Sequence, residues 1–210
     1  MAKLLPPDKN RSRLRGVDKV LRNPLYDYQT YASAGQTSLS FFSTPNGSSG
    51  KTLADTNMKL SGQLPVGEAA TIQFIEVLFF PGSAVNAAGA IATSGLNWQD
   101  VYTVAKSGFL RFTIGSTDFV VDGPIGMFPP ITRLAGSAAM ADATSAAAAL
   151  HSQIDYAAFA GMRYQIPPQG IESNMSFNVT LNWPVAVALP SGVAGRIGVR
   201  LDGQYFRSAQ

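Results

Sequence analysis

Cysteine is absent from the 210 residues, so the chain can build no disulfide framework, thiolate nucleophile or thiolate metal site. Histidine occurs once, as His151 between Leu150 and Ser152. One imidazole is too few for a His-based metal centre, and no serine lies in a G-x-S-x-G elbow that would pair it with a base. A lone His near Ser145 and Ser152 reads as a polar helix-end residue. Charge is scarce: Lys, Arg, Asp and Glu make up 14% of the chain, against roughly 25% in an average soluble domain. The 13 carboxylates do not cluster, which leaves a calcium loop without support. Glu68, Glu76, Asp118, Asp122 and Glu172 could supply the two carboxylates of a glycosidase, but a chain of this length always offers such pairs. Long apolar runs are missing too. "FIEVLFFPG" falls far short of the roughly 20 residues of a membrane-spanning helix. The N-terminus, interrupted by Pro6-Pro7 and cations, does not read as a signal peptide. These absences point to a protein made or assembled on the cytosolic side, without catalytic or cofactor machinery.

What charge there is lies unevenly. Residues 1–22 carry Lys3, Lys9, Arg11, Arg13, Arg15, Lys19 and Arg22 against Asp8 and Asp18, while the remainder holds nine basic and eleven acidic residues. The basic pI therefore comes from one Pro-punctuated arm. Seven cations without a folded recognition motif can neutralise phosphates by counterion release, independently of base sequence. The same arm could instead lie across neighbouring subunits or act as a solubilising tail. Scarce charge elsewhere suits a surface buried against other chains, because charged side chains are depleted from interface cores. It suits equally a monomer with a neutral polar surface.

After "LYDYQTYASAG", which reads as a tether from arm to body, short runs of β-formers alternate with Gly, Pro, Asn and Ser. The runs 36–42, 57–64, 69–80, 100–105, 108–115, 117–121, 161–166, 174–183, 195–201 and 204–206 read as strands. In "MSFNVTLNW" (175–183) every odd position is apolar and every even one polar, the period of a strand with one face buried. Residues 137–153, "SAAMADATSAAAALHSQ", read as the one helix, on alanine's propensity and a Ser137 cap. Together these predict an all-β sandwich or closed barrel over 35–210 behind an arm and tether over 1–34. Long connections are expected at 82–99 and 122–160.

One stretch suggests chemistry: "STPNGSSGKT" (43–52) ends like a phosphate-binding loop. The Walker pattern needs glycine where this chain has Pro45, and a helix directly after the lysine. Proline has no N–H to offer a phosphate, and "TLADTNMKLSGQ" has no helical stripe. Phe119-Val-Val-Asp122 looks superficially like a magnesium-holding strand but equally like any strand ending. The stretch is expected to be a flexible turn at Pro45-Asn46-Gly47, with Lys51 solvated.

A basic arm, a low-charge β-rich body of this size and Pro/Gly-bounded loops together resemble a single jelly-roll capsid protein of a small icosahedral virus or bacteriophage. The resemblance is architectural and rests on no diagnostic motif. It implies a jelly-roll-type sandwich of about eight antiparallel strands, with 137–153 as a surface insertion. It also implies copies of itself in a shell, contact with other capsid proteins, and an arm facing packaged nucleic acid or an inner membrane. The place would be the virion, assembled in the host cytoplasm. Rival classes are a decoration, spike or tail protein, and a carbohydrate-binding module with Tyr26, Tyr28, Tyr31 or Trp98 as an aromatic platform.

Overall fold

The computed structural model describes residues 19–82, 97–130, 133–138, 152–157 and 163–207. Two antiparallel sheets pack face to face. The first contains β1 (Lys19–Leu21), β2 (Leu25–Tyr31), β4 (Glu68–Phe80), β9 (Tyr164–Ile171) and β11 (Gly195–Arg207). The second runs β3 (Ser38–Phe41), β10 (Phe177–Asn182), β5 (Phe109–Ile114), β6 (Thr117–Pro124) in spatial order. A separate hairpin joins β7 (Arg133–Ala138) and β8 (Ser152–Ala157).

The alternation legible in the sequence sets the register of the second sheet. Val179 stands between Phe41 and Phe112, and Leu181 between Leu39 and Leu110. All six are buried. The opposite face of these strands carries Ser38, Ser40, Asn178, Thr180, Arg111 and Thr113. Across the core, the buried apolar rows of the second sheet meet rows of the first, Leu25–Leu201–Ile75 and Asp27–Val199–Val77. Burying a Leu, Ile, Val or Phe side chain contributes roughly 1.5–3 kcal/mol, so these rows dominate the packing.

The strand pairings nest. β2 pairs with β11, β3 with β10, β4 with β9 and β5 with β6. Apart from the β5–β6 hairpin, the chain changes sheet at each step of this series.

A bulge lets the thirteen-residue β11 and β4 stay paired. The register shifts between Asp202 and Gly203, leaving Gln73 as the extra residue on β4, and β9 shifts at the same place around Pro167-Pro168. Proline is tolerated there because β9 is an edge strand and a bulge leaves ladder positions unbonded. The bulge exchanges faces: Ile72 points inward before it, Ile75 and Val77 after it, and Glu76 turns to the outer face. Gly203 is required, since a Cβ there would lie 1.9 Å from the Thr71 carbonyl oxygen. Gly203→Ala is expected to cost about 1–3 kcal/mol in denaturant unfolding. Gly126→Ala is the neutral control, having nothing within 4 Å of its Cβ position.

Four local expectations are corrected. Residues 100–105 lie in α1 (Asn97–Ser107), with Asp100 in its first turn and Lys106 in its last, where each opposes the helix dipole. Trp183 Nε1 donates to the Val104 carbonyl at 3.1 Å, satisfying one of the acceptors a helix end leaves open. The ends of the expected helix 137–153 are strand, Ser137 and Ala138 in β7 and Ser152 and Gln153 in β8. Its middle, with His151, lies outside the described residues. The run 57–64 forms turns and isolated bridges, Leu60 with Gln63 and Leu64 with Ser173, with Gly62 at φ 61 in the turn between Leu60 and Gln63. The expected tether contains β2, a full strand of the first sheet.

Candidate functional site

Three charge clusters built around buried carboxylates lie on the five-stranded sheet. The first begins at Asp27. Its register row faces the core, so the carboxylate is fully buried. Oδ2 accepts the Phe42 N–H at 2.7 Å, and Lys51 Nζ meets Oδ1 at 2.5 Å. Burial raises the Asp27 pKa, and the lysine and the Phe42 N–H offset only part of that rise. Phe42 sits at φ 68, a backbone region a bulky residue enters only when its surroundings hold it. Asp27 on its N–H and Gly62 on its carbonyl do so. The "STPNGSSGKT" loop is accordingly not a loose link: Gly47 N–H donates to Lys51 O and Lys51 N–H to Ser48 O. Lys51, expected to be solvated, is an anchor whose side chain is only 15% exposed. The loop cradles its own lysine, and no helix follows it.

The second cluster lies on the outer face. Glu76 and Asp202 are buried, yet they stand where the alternation would place solvated residues. Arg163 bridges them, with Nε 2.8 Å from Glu76 Oε1 and Nη1 bonded to Asp202 Oδ2. Arg200, the cross-strand partner of Glu76, closes on its Oε2 at 2.5 Å. Arg22, from the basic segment, reaches Asp202 Oδ2 at 3.4 Å while remaining mostly exposed. Arg163 also lies over the Phe74 ring and Arg196 over Tyr28, the geometry in which a guanidinium gains from the ring face.

The third cluster closes the end of the sandwich beneath β1. Lys19, Arg207 and Glu68 form one row across β1, β11 and β4. Glu68 Oε1 accepts from Lys59 Nζ at 2.6 Å and Oε2 from the Tyr205 hydroxyl. Burial pushes the Glu68 pKa up, but the bonds from Lys59 and Tyr205 outweigh it and hold the carboxyl below its usual 4.5. Burial and the Glu68 charge both raise the Tyr205 hydroxyl. A depressed acid contributes stability above its unfolded pKa and loses it as pH falls through the folded value. Stability supplied by Glu68 is therefore expected to fade as pH drops below about 4.5. Glu68→Gln should flatten that part of an acid denaturation profile.

Of the residues the sequence singled out, Lys19 stands in the third cluster and Arg22 in the second. Lys3, Lys9, Arg11, Arg13 and Arg15 lie outside the described residues. The candidate carboxylates are dispersed. Glu68 and Glu76 are each bound to cations, and Asp118 and Asp122 flank Arg111 at 3.8 and 2.8 Å on the other sheet. Glu172 follows β9. Tyr31 is a core residue, its hydroxyl donating to the Val187 carbonyl at 2.8 Å. Tyr26, Tyr28 and Phe80 do form an outer row with centroids 6.1 Å apart, but the rings are tilted by 51° and 43°. With Arg196 stacked on Tyr28, they present no flat platform for a sugar. Among the described residues no three His, Asp or Glu side chains converge as metal ligands.

Sequence reasoning missed Asp27, Arg163, Arg200 and Asp202. None of the four carried a readable signal, since Asp27 lies in the stretch that reads as a tether and the others find their partners only through the folded topology. Comparison of the chain with protein-family models, curated proteins and solved structures gives no match.

Proposed function

We propose that this chain is a structural virion protein, a self-assembling capsid subunit built as a jelly roll. The observation that carries the reading is the nested pairing of eight of the nine sandwich strands, β2 with β11, β3 with β10, β4 with β9 and so on to the β5–β6 hairpin. A hairpin of four strand pairs rolled into two sheets is the jelly-roll arrangement, which recurs in viral capsids, lectins and cupins. Among those, the tilted, arginine-capped aromatics fit a lectin platform poorly, and the described residues bring no metal ligands together for a cupin-type centre. The polar face of the second sheet, built from Ser, Thr and Asn around Arg111, supports the coat reading. Identical subunits can bury such a surface without desolvating many ions.

In this reading the basic arm, entering the fold at β1 beside the last strand, contacts packaged nucleic acid, the inner shell surface or neighbouring subunits. Sedimentation velocity over a concentration series tests the function. Full-length protein is expected to form large closed or ring-like particles, and a monomer throughout the series would contradict the reading. Deleting residues 2–18 then separates the arm's roles. Particles that form without co-purifying nucleic acid assign genome contact, and failure to assemble assigns an inter-subunit strap.

A further inference from the structure

The end of the sandwich beneath β1 has an unusual combination of charge and apolar exposure. Lys19 and Arg207 are direct cross-strand partners, an arrangement of like charges that destabilises a sheet unless an anion compensates it. The only carboxylate in their row, Glu68, is committed to Lys59 and Tyr205, and Arg207 Nε stays 3.9 Å from it. Lys59 and Arg207 keep more than half of their side-chain surface exposed. The same end holds a cavity of about 110 Å³ bounded by Leu21, Lys59, Pro65, Glu68 and Arg207, and three exposed aliphatic side chains belong to its lining or stand next to a lining residue in the chain. They are Leu21 on β1, Leu60 beside Lys59, and Val66 beside Pro65, the last 80% exposed. No other large apolar side chain among the described residues is as exposed as Val66.

We infer that this end of the fold docks on an anionic lipid surface. Cations alone would fit any polyanion, but a polynucleotide gains nothing from exposed Leu and Val. An anionic bilayer rewards both, the cations at its headgroups and the aliphatics at the acyl boundary.

The test is flotation of the full-length protein with vesicles of phosphatidylcholine alone or mixed with phosphatidylserine. Binding is expected only to the mixed vesicles and should weaken as salt rises. Each cation near such a surface contributes about five-fold, so Lys59→Gln with Arg207→Gln should weaken binding about thirty-fold. Leu60→Ser with Val66→Ser should lower the binding that survives at high salt, where only the apolar part remains. Lys59 and Arg207 also neutralise the buried Glu68, so the cation variant is made on a Glu68→Gln background and compared with Glu68→Gln alone, with circular dichroism as the check that each protein is folded. Two results would overturn the inference: equal flotation with both vesicle types, or no loss in either double variant. The experiment needs no shell. A failure here leaves the coat reading standing, and failure to assemble leaves this one standing.

Discussion

Replacing Glu76 by alanine is expected to remove about 3–5 kcal/mol of stability, the cost of stranding a buried charge by deleting its partner. The variant would leave Arg163 and Arg200 facing each other on the outer face of β4 and β11, with Asp202 the one remaining acid of that cluster. At roughly 2–4 °C per kcal/mol for a chain of this size, the melting temperature should fall by about 10 °C. Arg200→Met alone should cost less, because Glu76 keeps Arg163 and the methionine still covers part of the strand. Equal losses for the two variants would mean that the network is a surface ornament. Calorimetry or denaturant titration of the three proteins reads the difference.

Asp27→Ala is expected to destabilise on the same scale, about 3–5 kcal/mol, through a different route. It removes the partner of Lys51, and it also leaves the buried Phe42 N–H without its acceptor at a residue already held at φ 68. Asp27→Asn keeps an acceptor for that N–H and removes only the charge, so its loss should be smaller. The wild-type pH dependence has a definite sign here. An acid whose folded pKa is raised contributes stability that is fully present below its unfolded value and lost as pH rises through the folded one. Asp27, raised from 3.8 by burial, therefore opposes Glu68 across the acid range. Asp27→Asn should remove the falling slope and Glu68→Gln the rising one, in unfolding midpoints compared at about pH 4 and about pH 7.

What the sequence disclosed was the alternating strands. β5 and β10 follow the period-two pattern, β4 reads as one long run of β-formers whose phase its bulge breaks, and the turn residues around them mark the ends to within a few positions. β2 was hidden because its pattern is inverted: Asp27 and Gln29 sit inward between Leu25 and Tyr31, while Tyr26 and Tyr28 face out. Those inward polar side chains have partners that sequence cannot display, the Ser40 carbonyl of β3 and the N–H of Phe42 just after it. In α1, "DVYTVA" is rich in β-branched residues, and local propensity lost to tertiary anchoring. Asp100 accepts from Ser191 N–H and hydroxyl at 3.0 and 2.6 Å. The charge clusters were illegible for a related reason. Lys51 and Asp27 are 24 residues apart, and Arg200 and Glu76 are 124 apart, so only the rolled topology brings them together.

"STPNGSSGKT" draws both lessons together. Its resemblance to a phosphate loop dissolves at Pro45, and its lysine serves a carboxylate of the same chain. We propose that the chain builds a shell, and negative-stain imaging of purified full-length protein at high concentration decides the matter. Closed shells, or rings of five or six subunits, are the predicted result; a field of uniform single particles of monomer size would contradict it.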